Sequence, residues 1–250
     1  MGAAPKTTAL IVPGPAGDLE VLLDEPVLGG PIVDRPIVDG LGNHALVKHV
    51  AVVCHPHPLY GGTMTNKVVH ILARTCNDLG VPTVRFNFRG VGKSSGTHDD
   101  GGGETEDALA MVQWAALRWP GASIWLAGFS FGAAMALRAS LHLASNYQVA
   151  RLITIAPALR WLTQVKTQTP ACPWLIVQGD QDELVDAHAV QQWAFSLPQP
   201  PQLTILPGAE HFFHGRLNDL RDAVKEWLEK EFAKELEIPV RKSPIAPAGS

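Results

Sequence analysis

The fold is decided by the stretch from Ser123 to Ser140, which reads SIWLAGFSFGAAMALRAS. Its first five residues form an apolar run that is too short for a helix, and its last eight are rich in alanine and other strong helix formers. Between these two runs lies the pentapeptide Gly128-Phe129-Ser130-Phe131-Gly132. A strand, a sharp turn that carries a serine and a helix, in this order, are typical of a nucleophile elbow.

The residue types of the pentapeptide suit this chemistry. A serine hydroxyl is a weak nucleophile at its own pKa, so it must be exposed on a tight turn where a base can reach it. Such a turn crowds its neighbours, and Gly128 and Gly132 supply positions without side chains. The free N–H groups at the start of the helix favour developing negative charge, and Phe131 N–H is the natural oxyanion donor. The alternative is an ordinary strand-to-helix turn that contains a serine.

Length and composition indicate one domain. The chain has 250 residues, of which 46% are hydrophobic and 18% charged, so it can bury one sizeable core. We expect a single domain over residues 1–237 and a disordered proline-rich tail over residues 238–250. Residues 26–42, in which proline and glycine recur, are expected to form an extended loop.

Charge, cysteine content and the pattern of apolar runs bear on the partners of the protein and on its location. The formal charge is −4 and no block of like charge occurs, so neither nucleic acid nor a membrane is indicated as a partner. Three widely spaced cysteines include no CxxC pair, and Cys54 and Cys76 suit small core positions. The first residues lack a signal-like pattern and no run approaches the length of a membrane span, so we expect a cytoplasmic protein.

Strands and helices alternate through most of the chain, which predicts a parallel sheet covered by helices on both faces. Two apolar runs before residue 26 predict an antiparallel hairpin at the edge of that sheet. We expect strands at 7–12, 19–23, 50–54, 83–88, 123–127, 152–155, 174–177 and 202–206. We expect helices at 104–118, 133–140, 186–197 and 217–236, and a further helix that begins at Thr65 or Asn66 and ends at Leu79.

A serine nucleophile needs a base, and the base needs an orienting acid. In open α/β sheets such groups gather beyond the carboxyl ends of strands. Asp182 follows the strand at 174–177, and His211 follows the strand at 202–206. The chain order Ser130, Asp182, His211 is the order of serine, acid and histidine in the α/β-hydrolase scheme.

Each partner of the serine has competitors. We favour His211 over His214 as the base, because the base must reach the elbow from the end of its strand. We favour Asp182 as the acid over Asp180, which can instead cap the local turn, and over Asp186.

The second oxyanion donor should follow the strand that ends at Cys54, in the sequence HPHPLYGG. Proline has no N–H, so the candidates are His57 and Leu59, which the sequence does not separate. His55 and His57 also suggest a metal site, but without a nearby carboxylate or cysteine that set is incomplete, and we expect no metal.

These residues together resemble the α/β-hydrolase superfamily, and within it the small lidless bacterial hydrolases near the dienelactone-hydrolase-like and serine-peptidase-like branches. The resemblance is carried by five segments: His55-Pro56-His57-Pro58 with Gly61-Gly62, Asn87-Phe88-Arg89-Gly90 with Gly92 and Ser94, the elbow, Gly179 to Asp182, and Gly208 to His211. It implies a Ser-His-Asp hydrolase of esters or related acyl bonds that needs no cofactor. Dienelactone hydrolases use cysteine as the nucleophile whereas this chain has Ser130, so their lactone substrate is not carried over.

Only residues 156–173 are available where many lipases insert a helical cap, so we expect an uncapped site. An uncapped site favours small or exposed acyl groups and therefore a carboxylesterase, with Trp161 as a candidate wall of the site. Peptidase, thioesterase and perhydrolase activities use the same three residues and stay open, as does a non-catalytic binding protein. The apolar stripe of the last helix leaves a homodimer open.

Overall fold

The protein is organised around one eight-stranded sheet. The computed structural model describes residues 6–26, 47–143 and 149–237. The strands of the sheet are β1 (Lys6–Gly14), β2 (Gly17–Glu25), β3 (His49–Cys54), β4 (Thr83–Phe86), β5 (Ser123–Phe129), β6 (Val149–Ile155), β7 (Trp174–Gly179) and β8 (Gln202–Leu206). Their spatial order is β1-β2-β4-β3-β5-β6-β7-β8. The hairpin β1–β2 and its junction with β4 are antiparallel, and every other pairing is parallel. The predicted mostly parallel sheet with an N-terminal antiparallel hairpin is confirmed.

Helices cover both faces of the sheet. They are α1 (Lys67–Asp78), α2 (Gly102–Arg118), α3 (Phe131–His142), α4 (Ala187–Ser196) and α5 (Leu217–Glu237). Successive residues of a strand point to opposite faces, so Leu126 of β5 packs in the core under α2, α3 and α4, whereas Trp125 packs in the core under α1 and α5. Burial on both faces explains why the central strands are continuous apolar runs rather than alternating ones.

No helical cap lies between β6 and β7, a connection whose residues are all described. Residues 156–173, between β6 and β7, contain one short 3-10 helix at Leu159–Trp161. In the three described segments of the chain, no helix is both long enough and apolar enough to cross a lipid bilayer.

Several boundaries differ from the predicted ones for reasons that lie in side-chain hydrogen bonds. β4 ends at Phe86 rather than at residue 88, because side chains bind the backbone groups that follow: the Asn87 carbonyl accepts the Ser94 hydroxyl at 2.6 Å, and the Phe88 N–H donates to the His55 ring at 3.0 Å. α2 begins at Gly102, two residues before the predicted start, because the Glu104 carboxylate accepts the Gly101 N–H at 2.8 Å and closes the first turn. The predicted loop over 26–42 lies outside the described residues except at residue 26. The predicted tail over 238–250 lies entirely outside them.

Chain direction in the sheet determines where a site can form. From β3 the chain passes by way of α1 to β4 on one side, and β5 then lies on the other side of β3. At such a switch point the loops that leave neighbouring strands separate and open a crevice. Cys54 at the end of β3 pairs with Gly128 at the end of β5, so the loop after Cys54 and the elbow leave the sheet side by side.

Candidate active site

Ser130 has a strained backbone that the surrounding structure holds in place. Its φ of 56° and ψ of −113° lie outside the regions that residues with a Cβ normally adopt. Its N–H donates to the Ile155 carbonyl at 2.8 Å, and its own carbonyl accepts the N–H groups of Ala134 and Ala158 at 3.2 and 3.3 Å. These three hydrogen bonds hold the turn that exposes the hydroxyl.

The two glycines of the pentapeptide are required by close backbone contacts. A Cβ on Gly128 would lie 2.3 Å from the Gly132 carbonyl oxygen. A Cβ on Gly132 would lie 2.4 Å from the carbonyl oxygens of Cys54 and His55. The elbow therefore packs directly on the backbone that follows β3, which is why the sequence needs glycine on both sides of the serine.

The structure brings His211 into contact with both Ser130 and Asp182. Its Nε2 lies 3.1 Å from the Ser130 Oγ, and its Nδ1 lies 2.8 Å from the Asp182 Oδ2. The residue is 2% exposed, with the Phe129 and Phe212 rings about it at centroid distances of 5.0 and 5.1 Å. Its backbone N–H donates to the Glu183 carboxylate at 3.1 Å. The imidazole is thus held between a hydroxyl and a carboxylate.

Asp182 is held by four donors. Its Oδ1 accepts the N–H groups of Leu184 and Val185 at 2.9 and 2.7 Å, and its Oδ2 accepts the Gln178 amide at 2.9 Å as well as His211. Burial raises the pKa of this carboxyl, but the hydrogen bonds from His211 and the two N–H groups outweigh burial and lower the pKa below its usual value. An ionised carboxylate at Nδ1 keeps the imidazole proton on that nitrogen, so Nε2 can accept the serine proton.

The competing acids and the competing histidine lie elsewhere. The Asp180 Oδ1 accepts the Gly208 N–H at 2.6 Å and joins the loops after β7 and β8, which differs from a cap on its own turn. Asp186 caps α4 by accepting the His188 N–H at 3.0 Å. His214 is exposed and lies 3.6 Å from the Glu210 carboxylate.

The two oxyanion candidates after β3 differ in what their N–H groups do. Leu59 N–H donates to the Nδ1 of the His57 ring at 3.2 Å, and the Leu59 side chain is exposed. The backbone N–H of His57 donates no hydrogen bond to any described residue. Phe131 is the first residue of α3, where an N–H has no partner within the helix. Phe131 and His57 are therefore the two backbone donors that remain available.

An aromatic cluster lies beside these donors. The His57 ring has its centroid 4.8 Å from Phe131, 4.9 Å from His98, 5.4 Å from Trp161 and 4.7 Å from Tyr60. Trp161, the candidate wall of the site, therefore contacts the His57 ring. Tyr60 and His98, like Gln178 and Glu183, are neighbours of the site that the sequence analysis did not single out, because no residue type or spacing marks them, although Tyr60 lies within HPHPLYGG.

The two histidines after β3 differ in the partners of their rings. Both ring nitrogens of His55 are hydrogen-bonded to backbone groups, at 2.6 Å to the Pro56 carbonyl and 3.0 Å from the Phe88 N–H. Within the described parts of the chain, no group of three or more histidine, cysteine, aspartate or glutamate side chains is arranged to hold a metal ion.

Comparison with known proteins finds relatives of this chain. A family model described as the alpha/beta hydrolase fold matches residues 52–170. An uncharacterized protein of Rickettsia prowazekii is 34% identical over 188 residues, which cover 72% of this chain and 78% of that protein. The solved structure of an alpha-beta serine hydrolase homologue from Coxiella burnetii is 40% identical, with a TM-score of 0.76 over 88% of this chain and 97% of that one. The protein XC6422 of Xanthomonas campestris, described as a serine hydrolase without a lid, is also 40% identical, with a TM-score of 0.78 over 90% of this chain and 95% of that one.

Proposed function

Because the chain belongs to the α/β serine hydrolases that lack a lid, we propose that it is a carboxylesterase-like enzyme that uses Ser130, His211 and Asp182 as a catalytic triad. The observation that carries the proposal is the position of the His211 ring, which lies 3.1 Å from the Ser130 hydroxyl and 2.8 Å from the Asp182 carboxylate. A serine, an imidazole and a buried carboxylate in this order form the arrangement that activates a hydroxyl as a nucleophile.

In the proposed reaction the Ser130 oxygen attacks the carbonyl carbon of an ester while His211 Nε2 takes the hydroxyl proton. The carbonyl oxygen becomes an oxyanion that the N–H groups of Phe131 and His57 stabilise. His211 returns the proton to the departing alcohol as the ester C–O bond breaks, which leaves an acyl group on Ser130. Water, deprotonated by the same imidazole, then releases the acid and restores the serine.

Small or exposed esters are the proposed substrates. With no cap between β6 and β7, an acyl chain that leaves the site enters water rather than a buried channel. The aromatic cluster around His57 limits the space beside the oxyanion donors. Both features favour short acyl groups over long ones.

The test is hydrolysis of p-nitrophenyl esters from acetate to laurate, together with labelling by a fluorescent organophosphonate. We expect the wild type to hydrolyse the short esters best and to carry the label on Ser130, as read by peptide mass spectrometry. Ser130→Ala should abolish both signals, whereas the control Ser140→Ala, on the far part of α3, should retain both. Ester hydrolysis retained by Ser130→Ala would contradict the assignment, and faster turnover of aminoacyl amides or acyl-CoA would favour a peptidase or thioesterase.

A further inference from the structure

His55 is a fully buried histidine whose two ring nitrogens have different, defined partners. Its Nε2 lies 3.0 Å from the backbone nitrogen of Phe88, and its Nδ1 lies 2.6 Å from the Pro56 carbonyl oxygen. A backbone N–H can only donate and a carbonyl can only accept. Nε2 is therefore the lone-pair nitrogen, and the single proton of the neutral ring lies on Nδ1 and is donated to Pro56.

That hydrogen bond orients a peptide unit of the candidate site. The Pro56 carbonyl and the His57 N–H belong to the same peptide, and the described residues contain no cis peptide bond. In a planar trans peptide the C=O and the N–H point in opposite directions. The carbonyl is directed at the buried imidazole, so the His57 N–H must point away from it.

The same peptide is confined by the loop around it. A Cβ on Gly62 would lie 2.0 Å from the Pro56 carbonyl oxygen, so Gly62 packs against the carbonyl that His55 binds. The Gly62 N–H donates to the His57 carbonyl at 3.0 Å. Gly132 of the elbow packs on the His55 carbonyl, which belongs to the preceding peptide. The Pro56–His57 peptide is thus held by the imidazole and Gly62, and the peptide before it is held by the start of α3.

We propose that His55 is a positioning residue that aims the His57 N–H at the oxyanion by binding the Pro56 carbonyl. This inference rests on the proposed function, in which the His57 N–H stabilises that oxyanion. His55 itself touches no reacting atom. It acts through the direction of one peptide and therefore affects the transition state rather than substrate binding.

Two conservative variants separate this role from a structural one. In His55→Asn the side-chain nitrogen occupies the δ position and can still donate to Pro56, whereas the acceptor for Phe88 is lost. In His55→Gln the amide reaches the ε position and can still accept from Phe88, whereas the donor to Pro56 is lost. Removal of one oxyanion donor lowers kcat about 10²–10³-fold, so misdirection of the donor by His55→Gln should lower kcat by at least about 10-fold with little change in KM.

His55→Asn should retain a kcat closer to that of the wild type. Equal losses of kcat in the two variants, or a folded His55→Gln with wild-type kcat, would overturn the inference. Circular dichroism and Tm should accompany each assay, so that loss of fold is distinguished from loss of rate.

Two further measurements do not depend on how these variants fold. Gly62→Ala places a Cβ against the same carbonyl and must displace it, so this variant should also lower kcat while KM stays close to the wild-type value. In the wild type, long-range nitrogen–proton NMR spectra at neutral pH should show the ring proton of His55 on Nδ1, with the ring assigned through its contact with the Phe88 amide. A proton on Nε2, or an unchanged kcat in folded Gly62→Ala, would refute the proposed positioning.

The outcome also separates this inference from the proposed function. If wild-type hydrolysis depends on Ser130 but is insensitive to His55→Gln and Gly62→Ala, only the role of His55 fails. If the wild type hydrolyses no ester and takes no organophosphonate label, the proposed function fails first.

Discussion

Asp182→Asn is the most informative single change in the site, because the structure dictates which way the new amide must face. The Asp182 Oδ1 accepts two backbone N–H groups, from Leu184 at 2.9 Å and from Val185 at 2.7 Å. An asparagine has one oxygen, and turning its NH2 group toward two N–H donors would leave three donors together in a buried place. The two donors at Oδ2 are the Gln178 amide at 2.9 Å and the His211 Nδ1 at 2.8 Å, and both can become acceptors, by turning the amide over and by shifting the ring proton, whereas a backbone N–H cannot. The oxygen therefore stays with the backbone, and the NH2 group replaces Oδ2.

This replacement inverts the protonation of His211. An NH2 group at Nδ1 can only donate, so Nδ1 must become the lone-pair nitrogen and the ring proton moves to Nε2. Nε2–H then faces the Ser130 oxygen, 3.1 Å away, as a donor and cannot take its proton. The equivalent change in a serine-protease triad lowers kcat about 10⁴-fold, which corresponds to about 5 kcal/mol of transition-state free energy, and we expect a loss of that order.

The assay is kcat and KM for p-nitrophenyl acetate at neutral pH, with Tm measured on the same preparations. Asp180→Asn is the matched control, because an amide oxygen at position 180 can keep the hydrogen bond from the Gly208 N–H that Asp180 now accepts at 2.6 Å. It should leave kcat within a few-fold of the wild type. A folded Asp182→Asn that retains more than about a tenth of the wild-type kcat, or an Asp180→Asn that loses as much as Asp182→Asn, would contradict the reversed protonation of His211.

Three further outcomes follow from the same part of the molecule. Gly132→Ala should lower kcat and destabilise the protein by about 1–3 kcal/mol in urea unfolding, because its Cβ would lie 2.4 Å from the carbonyl oxygens of Cys54 and His55. Wild-type stability and a wild-type kcat in this variant would show that the elbow is packed less tightly than described. Burial lowers the pKa of His55 from 6.5 to about 4, so between these values the unfolded chain binds a proton that the folded protein does not. The free energy of unfolding of the wild type should therefore fall by about 3 kcal/mol as the pH drops from about 6.5 to about 4. It should fall less steeply in His55→Gln, and an equal slope in the two proteins would contradict the burial of a neutral His55 ring. Burial raises the pKa of the Cys76 thiol to about 12 and also raises the pKa of the Cys54 thiol. Neither thiol should therefore react with a thiol reagent such as DTNB until the protein is unfolded. Reaction at either residue in the native protein would contradict this burial.

Much of the architecture could be predicted from the sequence because its signals are local. The buried strands are short apolar runs, and the elbow is marked by two glycines around Ser130. Helix ends are marked by neighbouring residues such as Asn66, which caps α1 by accepting the Val68 N–H at 2.8 Å. The predicted fold class is correct for this reason, and predicted boundaries are wrong where another segment's side chain binds the backbone, as His55 and Ser94 do just after β4.

The order of the three candidate catalytic residues could also be predicted, since each follows a strand end and parallel strands bring their carboxyl ends to one edge. Differences between near neighbours depended on contacts that the sequence does not mark. Asp180 and Asp182 differ through distant segments, since Asp180 accepts the Gly208 N–H and Asp182 meets the His211 ring. Leu59 and His57 differ through a local contact, because the His57 ring accepts the Leu59 N–H.

The sequence by itself therefore determined the strand and helix order, the turn that exposes Ser130 and the edge of the sheet where the site lies. Only the tertiary structure decided that the His211 ring meets Asp182, that the Phe88 N–H donates to the His55 ring, and that Trp161 reaches the His57 ring. The physical reason is the range of the interactions. Hydrophobic periodicity and turn geometry act within a few residues of one another, whereas the direction of a hydrogen bond in a buried site is settled only when segments far apart in the chain have packed together.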